Sequence, residues 1–254
     1  MPSDMTTIAG RAPRLAVLID ADNVRAVNAE AILNEIASFG DPSLRRVYGD
    51  WSSSALGQWK EQARNLGLVM HQQSANTKGK NASDIGLVID AMDILHAGKV
   101  DGFVLVSSDS DFTRLASRIR EDGLQVIGIG EAKTPESLRK VCNRFVLIEN
   151  IVTGDDPTPI PAPTGGRAER PVEPAQEKQL PAKVIPLILE AMRKIDPDQD
   201  WYPLGQLGQV LIQLYTDFDP RSYGSAKLSD LLRKSGRFEV KAGPNNTLTV
   251  RDKA

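Results

Sequence analysis

Apolar and polar positions alternate along residues 14–150 in a way that predicts strands and helices in turn. Leu15 to Ile19 is an unbroken apolar run ending at Asp20, and Phe103 to Val106 is a second, followed by Ser107, Ser108 and Asp109. Runs of this length bounded by polar residues predict strands buried on both faces. The pattern places strands at 14–20, 44–50, 68–71, 103–107, 125–129 and 144–148. Between them, apolar residues at helical spacing predict helices at 28–39, 54–66, 83–96, 111–121 and near 135–141. Gly40-Asp41-Pro42 stops the first helix, and Gly67 and Gly123 cap two others. Strands separated by helices of this length predict right-handed crossovers and a parallel sheet.

From Thr153 to Gln179 the chain changes character. Prolines stand at 157, 159, 161, 163, 171 and 174, with Gly165-Gly166 among them. Such a composition predicts an extended, semi-rigid linker. Apolar periodicity returns at Leu180, predicting helices at 182–194, 204–215 and 222–235 and a strand pair at 238–241 and 248–251. Three helices and a terminal hairpin are the outline of a winged helix-turn-helix. The expected organisation is therefore an α/β domain over 12–151, a linker over 152–179, and a small winged-helix domain over 180–254.

Composition narrows the chemistry. Hydrophobic residues make up 41% of the 254-residue chain, enough for ordinary globular cores. The net charge of -2 excludes a globally basic nucleic-acid binder, so binding of that kind has to come from a local patch. One cysteine, Cys142, excludes a disulfide framework and a cysteine-ligated zinc, and two histidines, His71 and His96, make a histidine-rich metal site unexpected. No apolar run is long enough to span a bilayer, and no apolar signal core opens the chain. The expectation is a soluble, cytoplasmic protein with no membrane partner.

The candidate chemistry lies in acidic residues at strand and helix ends: Asp20-Ala-Asp22-Asn23, Asp50, Asp84, and Asp109-Ser-Asp111. In an open α/β sheet, ligands bind at the carboxyl ends of the strands. Carboxylates gathered there repel, by about 4 kcal/mol for a pair about 4 Å apart at an effective dielectric of about 20. Either some keep a proton or a hard cation such as Mg²⁺ or Mn²⁺ sits among them. Helix capping by Asp22, Asn23, Asp109 or the Ser83–Asp84 pair is the competing, structural reading of each. Asn23 can reach back toward the same crevice. Ser107 and Ser108 let the chain turn tightly at the strand end and are counted with the substrate contacts. Lys78 and Lys80, in the loop before Asp84, could touch a phosphodiester backbone. Asp90 is rotated well away from Asp84 at about 100° per residue, so it is read as structural or supporting, and Asp93 as solvent-facing. Gly128-Ile-Gly130 is read as a strand end, Cys142 as packed, and Trp201 and Tyr202 as core.

Taken together, Asp20-Ala-Asp22-Asn23, Gly79-Lys80-Asn81-Ala-Ser-Asp84 with Asp90-Ala-Met-Asp93, and Ser107-Ser-Asp109-Ser-Asp111-Phe112 resemble the NYN domain, over roughly residues 14–150. That family belongs to the PIN-like, FLAP-nuclease-related ribonucleases that depend on Mg²⁺ or Mn²⁺. The resemblance implies a PIN-like parallel sheet sandwiched by helices. It implies Asp20, Asp84 and Asp109 as principal metal carboxylates and catalytic residues, with Asp111 and Asn23 supporting. Residues 180–250 are similar to the OST-HTH (LOTUS) winged helix, best over Asp200-Trp-Tyr-Pro-Leu-Gly-Gln-Leu-Gly and Lys227-Leu-Ser-Asp-Leu-Leu. That resemblance implies binding of RNA or of a protein partner. Lys227, Arg233, Lys234, Arg237 and Lys241 would supply a basic face there, and the first four are the expected RNA contacts. The expected activity is metal-dependent RNA cleavage. Two other readings stay open: an RNA-binding adaptor with a vestigial crevice, and a haloacid-dehalogenase-type phosphatase with Asp20 as nucleophile.

Overall fold

The structure, a computed structural model, describes residues 11–72, 82–152, 178–243 and 247–253, without the side chains of Ala82, Ser83 and Asp84. The chain divides into two compact units, one built on a six-stranded sheet and one on a three-stranded sheet.

The first unit alternates strands and helices in the order the hydrophobic pattern predicts. Its elements are β1 (Arg14–Asp20), α1 (Ala29–Ala37), β2 (Asp41–Gly49), α2 (Gly57–Leu66), β3 (Val69–Gln72), α3 (Ala82–Ala97), β4 (Gly102–Val106), α4 (Thr113–Glu121), β5 (Gln125–Gly130), α5 (Glu136–Val141), β6 (Arg144–Leu147) and α6 (Ile148–Val152). All six strands pair in parallel, in the order β3-β2-β1-β4-β5-β6.

Alternation along the strands feeds two cores. Leu15, Val17 and Ile19 pack with Val104, Val106, Ile127 and Ile129 beneath α1 and α2. Ala16 and Leu18 pack with Tyr48, Phe103, Leu105 and Val126 beneath α3, α4 and α5. Leu15 to Ile19 are all buried to 1% exposure or less, which is why β1 reads as a continuous apolar run rather than an alternating one. Each Leu, Val or Ile among them contributes about 1.5–3 kcal/mol by leaving water.

Local signals end the helices where expected. Gly67 and Gly123 have φ of 64° and 84°, the left-handed conformation that only glycine adopts without strain. Gly128 answers a packing need instead. A Cβ there would lie 2.4 Å from the Phe145 ring and 2.8 Å from Cys142 Sγ, so the glycine makes room for β6 and α5. The sequence reading of Gly128 and Gly130 as part of a strand agrees with this placement.

The second unit contains α7 (Ile185–Ile195), β7 (Tyr202–Pro203), α8 (Leu204–Leu214), α9 (Leu228–Lys234), β8 (Phe238–Ala242) and β9 (Leu248–Asp252). Its strands form an antiparallel sheet in the order β7-β9-β8. Val184, Ile188, Leu207, Leu211, Leu231, Leu232 and Val250 are fully buried in it. Two expectations change here. The helix expected over 222–235 is broken: a 3₁₀ turn at Pro220–Tyr223 ends on Gly224 at φ 72°, and α9 starts only at Leu228. The two-residue β7 adds a third strand that no periodicity announces. The expected linker lies almost wholly outside the described residues. No described helix is long and apolar enough to cross a membrane.

Candidate active site

The strand order reverses between β1 and β4: from β1 the chain proceeds to β2 on one side, and from β4 to β5 on the other. Adjacent strands leaving in opposite directions open a crevice at their carboxyl ends. Asp20 closes β1 at that point, and Ser107 to Asp109 follow the last residue of β4.

Asp20 is 1% exposed, yet its carboxylate is well supplied with donors. Oδ1 accepts from Asp22 N at 3.1 Å, and Oδ2 accepts from Asn23 Nδ2 at 2.6 Å and from Ser107 Oγ at 2.9 Å. Three of its roughly four acceptor positions are therefore filled, which fixes its orientation. Burial pushes the Asp20 carboxyl above its ordinary range, and the hydrogen bonds from Asn23 and Ser107 act against that shift.

Ser107 Oγ also accepts from Asp109 N at 3.0 Å, so one hydroxyl ties the two strand ends together. The Asp109 carboxylate accepts from Asp111 N at 2.9 Å through Oδ1 and thereby caps the 3₁₀ turn Ser110–Phe112 that leads into α4. Asp109 thus performs the capping that the sequence offered as its structural role, while standing half-buried beside Asp20's partner Ser107. Asp111 is exposed on the same turn. Ser108 Oγ accepts from Glu131 N at 2.8 Å and joins the loops that leave β4 and β5.

Asp84 lies in the first turn of α3, which packs on the Asp20 face of the sheet. Its side chain, and the loop containing Lys78 and Lys80, lie outside the described residues. Among the described residues no three acidic, histidine or cysteine side chains gather closely enough to hold a metal ion. The groups that do meet at the crevice (Asp20, Asn23, Ser107 and the Asp109 turn) are oxygen-rich, the donor chemistry suited to Mg²⁺ or Mn²⁺ rather than to soft metals. The donor set fits such an ion in kind, and two carboxylates from adjacent strand ends are its described portion.

A second polar group, not anticipated as a unit, lies one strand further along the same face. Tyr48 is the register neighbour of both Asp20 on β1 and His71 on β3. Its hydroxyl and the Arg46 guanidinium both donate to Asp90 of α3. Burial alone would raise Asp90, but these hydrogen bonds and the Arg46 charge hold its carboxyl below the ordinary range. His71 lies 5.1 Å from the Tyr48 ring, centroid to centroid, and burial lowers its pKa. Asp90 is thus a fixed strut between α3 and β2, in line with the structural reading made from helix geometry. Asp93 is exposed, as expected.

Asp50, just beyond β2, accepts from Ser52 N and Oγ at 3.1 and 2.6 Å and from Gln72 Nε2 at 2.9 Å. Hydrogen bonds from Ser52 and then Gln72 keep its carboxyl below the usual range. It organises the β2 and β3 ends and serves as a local turn acid.

In the second unit, most of the expected basic face has internal partners. Arg237 makes a two-bonded pair with Asp252 at 2.8 Å each, Arg233 pairs with Asp230 at 3.3 Å, and Lys234 Nζ donates to Gly224 O at 2.8 Å. Lys227 is exposed at the start of α9. Tyr202 is core, as expected, but Trp201 is not: it is half-buried, with Lys241 Nζ 3.5 Å and Arg251 Cζ 4.8 Å from its ring centroid.

Comparison with family models agrees with this architecture. The NYN domain family model matches residues 14–149, and the OST-HTH/LOTUS domain model matches residues 177–250. No functionally curated protein matches. Among solved structures, a protein of unknown function from Vibrio parahaemolyticus RIMD 2210633 is 22% identical, with a TM-score of 0.47, over 56% of this chain and 96% of its own. An uncharacterized protein from Nitrosomonas europaea is 28% identical over 39% of this chain and 92% of its own, with a TM-score of 0.26. MurG from Acinetobacter baumannii is 12% identical over 88% of this chain and 70% of its own, with a TM-score of 0.36. NYN domains are in general of ribonuclease type and typically use divalent metals, and OST-HTH domains bind RNA. With its model matched across the whole six-stranded unit, the chain belongs to the NYN domain family, and it carries an OST-HTH/LOTUS domain after it.

Proposed function

We propose that the chain is a divalent-metal-dependent ribonuclease whose carboxyl-terminal domain holds the RNA. The observation that carries this reading is the hydrogen-bonded linkage Asp20–Ser107–Asp109 at the switch point of a parallel sheet. Asp20, Asp84 and Asp109, with Asp111 beside them, would hold Mg²⁺ or Mn²⁺. Bound there, the ion would lower the pKa of a coordinated water and neutralise charge on the attacked phosphate. The protein groups do the positioning. Asn23 and Ser107 hold Asp20 in one orientation and favour its ionised form against the effect of burial. The Asp109 carboxylate is held by its own turn, which leaves Oδ2 to face an ion. Ser107, Ser108, Lys78 and Lys80 are the proposed contacts to the phosphodiester.

A nucleophilic role for Asp20, as in haloacid-dehalogenase-type phosphatases, is disfavoured by its burial. A carboxylate that is 1% exposed can offer one remaining acceptor position to a small ion but no open trajectory to a substrate phosphorus. The test is cleavage of labelled single-stranded RNA with Mn²⁺, with Mg²⁺, and with chelator. The wild-type protein is expected to cleave only with metal, and Asp20→Asn and Asp109→Asn to lose at least a hundredfold in rate. Full cleavage by both variants would remove the site, and metal-independent silence of the wild type with tight RNA binding would favour the adaptor reading.

A further inference from the structure

We infer that the outer face of the three-stranded sheet, centred on Trp201, is a stacking platform for unpaired bases of single-stranded RNA; this deepens the RNA-binding part of the proposal above. In β8 and β9 the buried residues Phe238 and Val250 point inward, and Glu239, Lys241, Thr249 and Arg251 alternate onto the opposite face. Register pairs Lys241 with Thr249 and Arg251 with Glu239. Trp201, immediately before β7, brings its ring to this face, where Lys241 and Arg251 both contact it. Trp201 is thus a half-buried aromatic ring with two cations held against it.

A cleft of about 410 Å³ is lined by Arg251 of this face, by Arg193, Arg237 and Met192, and by Asp200 and Tyr202, the chain neighbours of Trp201. That volume falls in the range of small-ligand sites, about 300–1,000 Å³. An aromatic plane next to cations that can follow a phosphate backbone is the arrangement by which single strands are held. A base has a π face to offer in place of the Lys241 ammonium, and Lys241 then turns to the adjoining phosphate. Duplex RNA keeps its bases stacked inside and cannot use the ring. The charge on this face is modest, because Arg251 pairs with Glu239 across the two strands. Stacking, rather than bulk charge, is thus the dominant attraction. By contrast, the cations of α9 are turned to Asp230 and Gly224.

The experiment is fluorescence anisotropy of the full chain with a labelled eight-nucleotide single-stranded RNA, in chelator so that no cleavage occurs. Trp201→Ala is expected to weaken binding by roughly 5- to 150-fold, the range for losing one base–aromatic stack. Trp201→Phe should retain most of the affinity. Lys241→Gln should weaken binding several-fold and lower the log–log salt slope by about 0.7, one phosphate's worth. A duplex of the same sequence should bind more weakly than the single strand. Circular dichroism of each variant separates loss of folding from loss of the platform, and Trp201→Phe with Lys241→Gln test it even where Trp201→Ala does not fold. Unchanged affinity in Trp201→Ala, equal binding of duplex, or sole dependence on Arg233 and Lys234 would overturn the inference. None of these readouts depends on metal or cleavage, so a failed ribonuclease reaction and a failed platform are separate results.

Discussion

The hydroxyl of Ser107 donates to Asp20 Oδ2 at 2.9 Å, across 87 residues of sequence, and both groups are buried. The same oxygen accepts from Asp109 N. Ser107→Ala would leave the Asp109 amide without its partner and Asp20 with one donor fewer. The expected cost is about 1–3 kcal/mol of stability, the usual range for a buried polar group that loses its partner. Because Ser107 is one of the groups opposing the upward shift of Asp20, its loss raises that carboxyl further. Urea unfolding of the wild type and Ser107→Ala, with equal slopes and a lower midpoint in the variant, would check it.

Divalent ions are expected to stabilise the fold as well as to activate it. At a free Mn²⁺ concentration about a hundred times its Kd, binding to the native state alone contributes about 2.7 kcal/mol. The thermal midpoint of the wild type should rise by several degrees on adding Mn²⁺ and fall back on adding chelator. Asp20→Asn and Asp109→Asn should show little of this shift. An equal rise in all three proteins would place the ion elsewhere.

Gly128→Ala is expected to destabilise the first unit by about 1–3 kcal/mol, the usual effect of forcing a methyl into a filled core. The obstacles are Cδ2 and Cε2 of the Phe145 ring, at 2.4 and 2.7 Å from the added carbon, and Cys142 Sγ at 2.8 Å. Burial pushes the Cys142 thiol up to about 12, so it stays a neutral packing atom at neutral pH. Differential scanning calorimetry of the variant, and partial rescue by Phe145→Leu in the Gly128→Ala background, would test the contact.

Asp90 predicts a specific acid response. Its folded-state pKa lies below the 3.8 of an unperturbed aspartate, so the unfolded chain binds the proton more tightly. The stabilisation it gives is fully present above about that value and is lost as pH falls through the lower folded-state value. Asp90→Asn, which cannot titrate, should be less stable than the wild type at neutral pH and lose less on acidification below pH 4. Parallel stability curves for the two proteins across that window would refute the assignment.

Much of the fold is legible in the sequence because its signals are local. Apolar runs mark β1 and β4, left-handed glycines at 67 and 123 end α2 and α4, and Asp20 and Asp109 stand where those strands stop. Features set by distant partners are not legible. Nothing near Arg46 announces Asp90, 44 residues later, as its partner. The helix expected over 222–235 overlooks the competition at Gly224, where Asp219 caps a separate 3₁₀ turn. β7 is two residues long and includes Pro203, too short for any period and poor in donors, and is held only because β9 offers an edge. The basic residues of 227–241 suggest a phosphate-binding face when counted, but the charge of Arg233 is answered by Asp230 one turn away, and that of Arg237 by Asp252, which only the folded backbone brings beside it.

The reversal of strand order between β1 and β4 has one more outcome. Every amino-terminal fragment that stops short of the fourth strand lacks Ser107, one of the three donors to Asp20, and the Asp109 turn beside it, however well its first three strands assemble. A chain still leaving the ribosome, or one clipped between the halves, would carry Asp20 held by its local donors alone. The crevice with both acidic strand ends is in that way incomplete until synthesis has passed the midpoint of this unit.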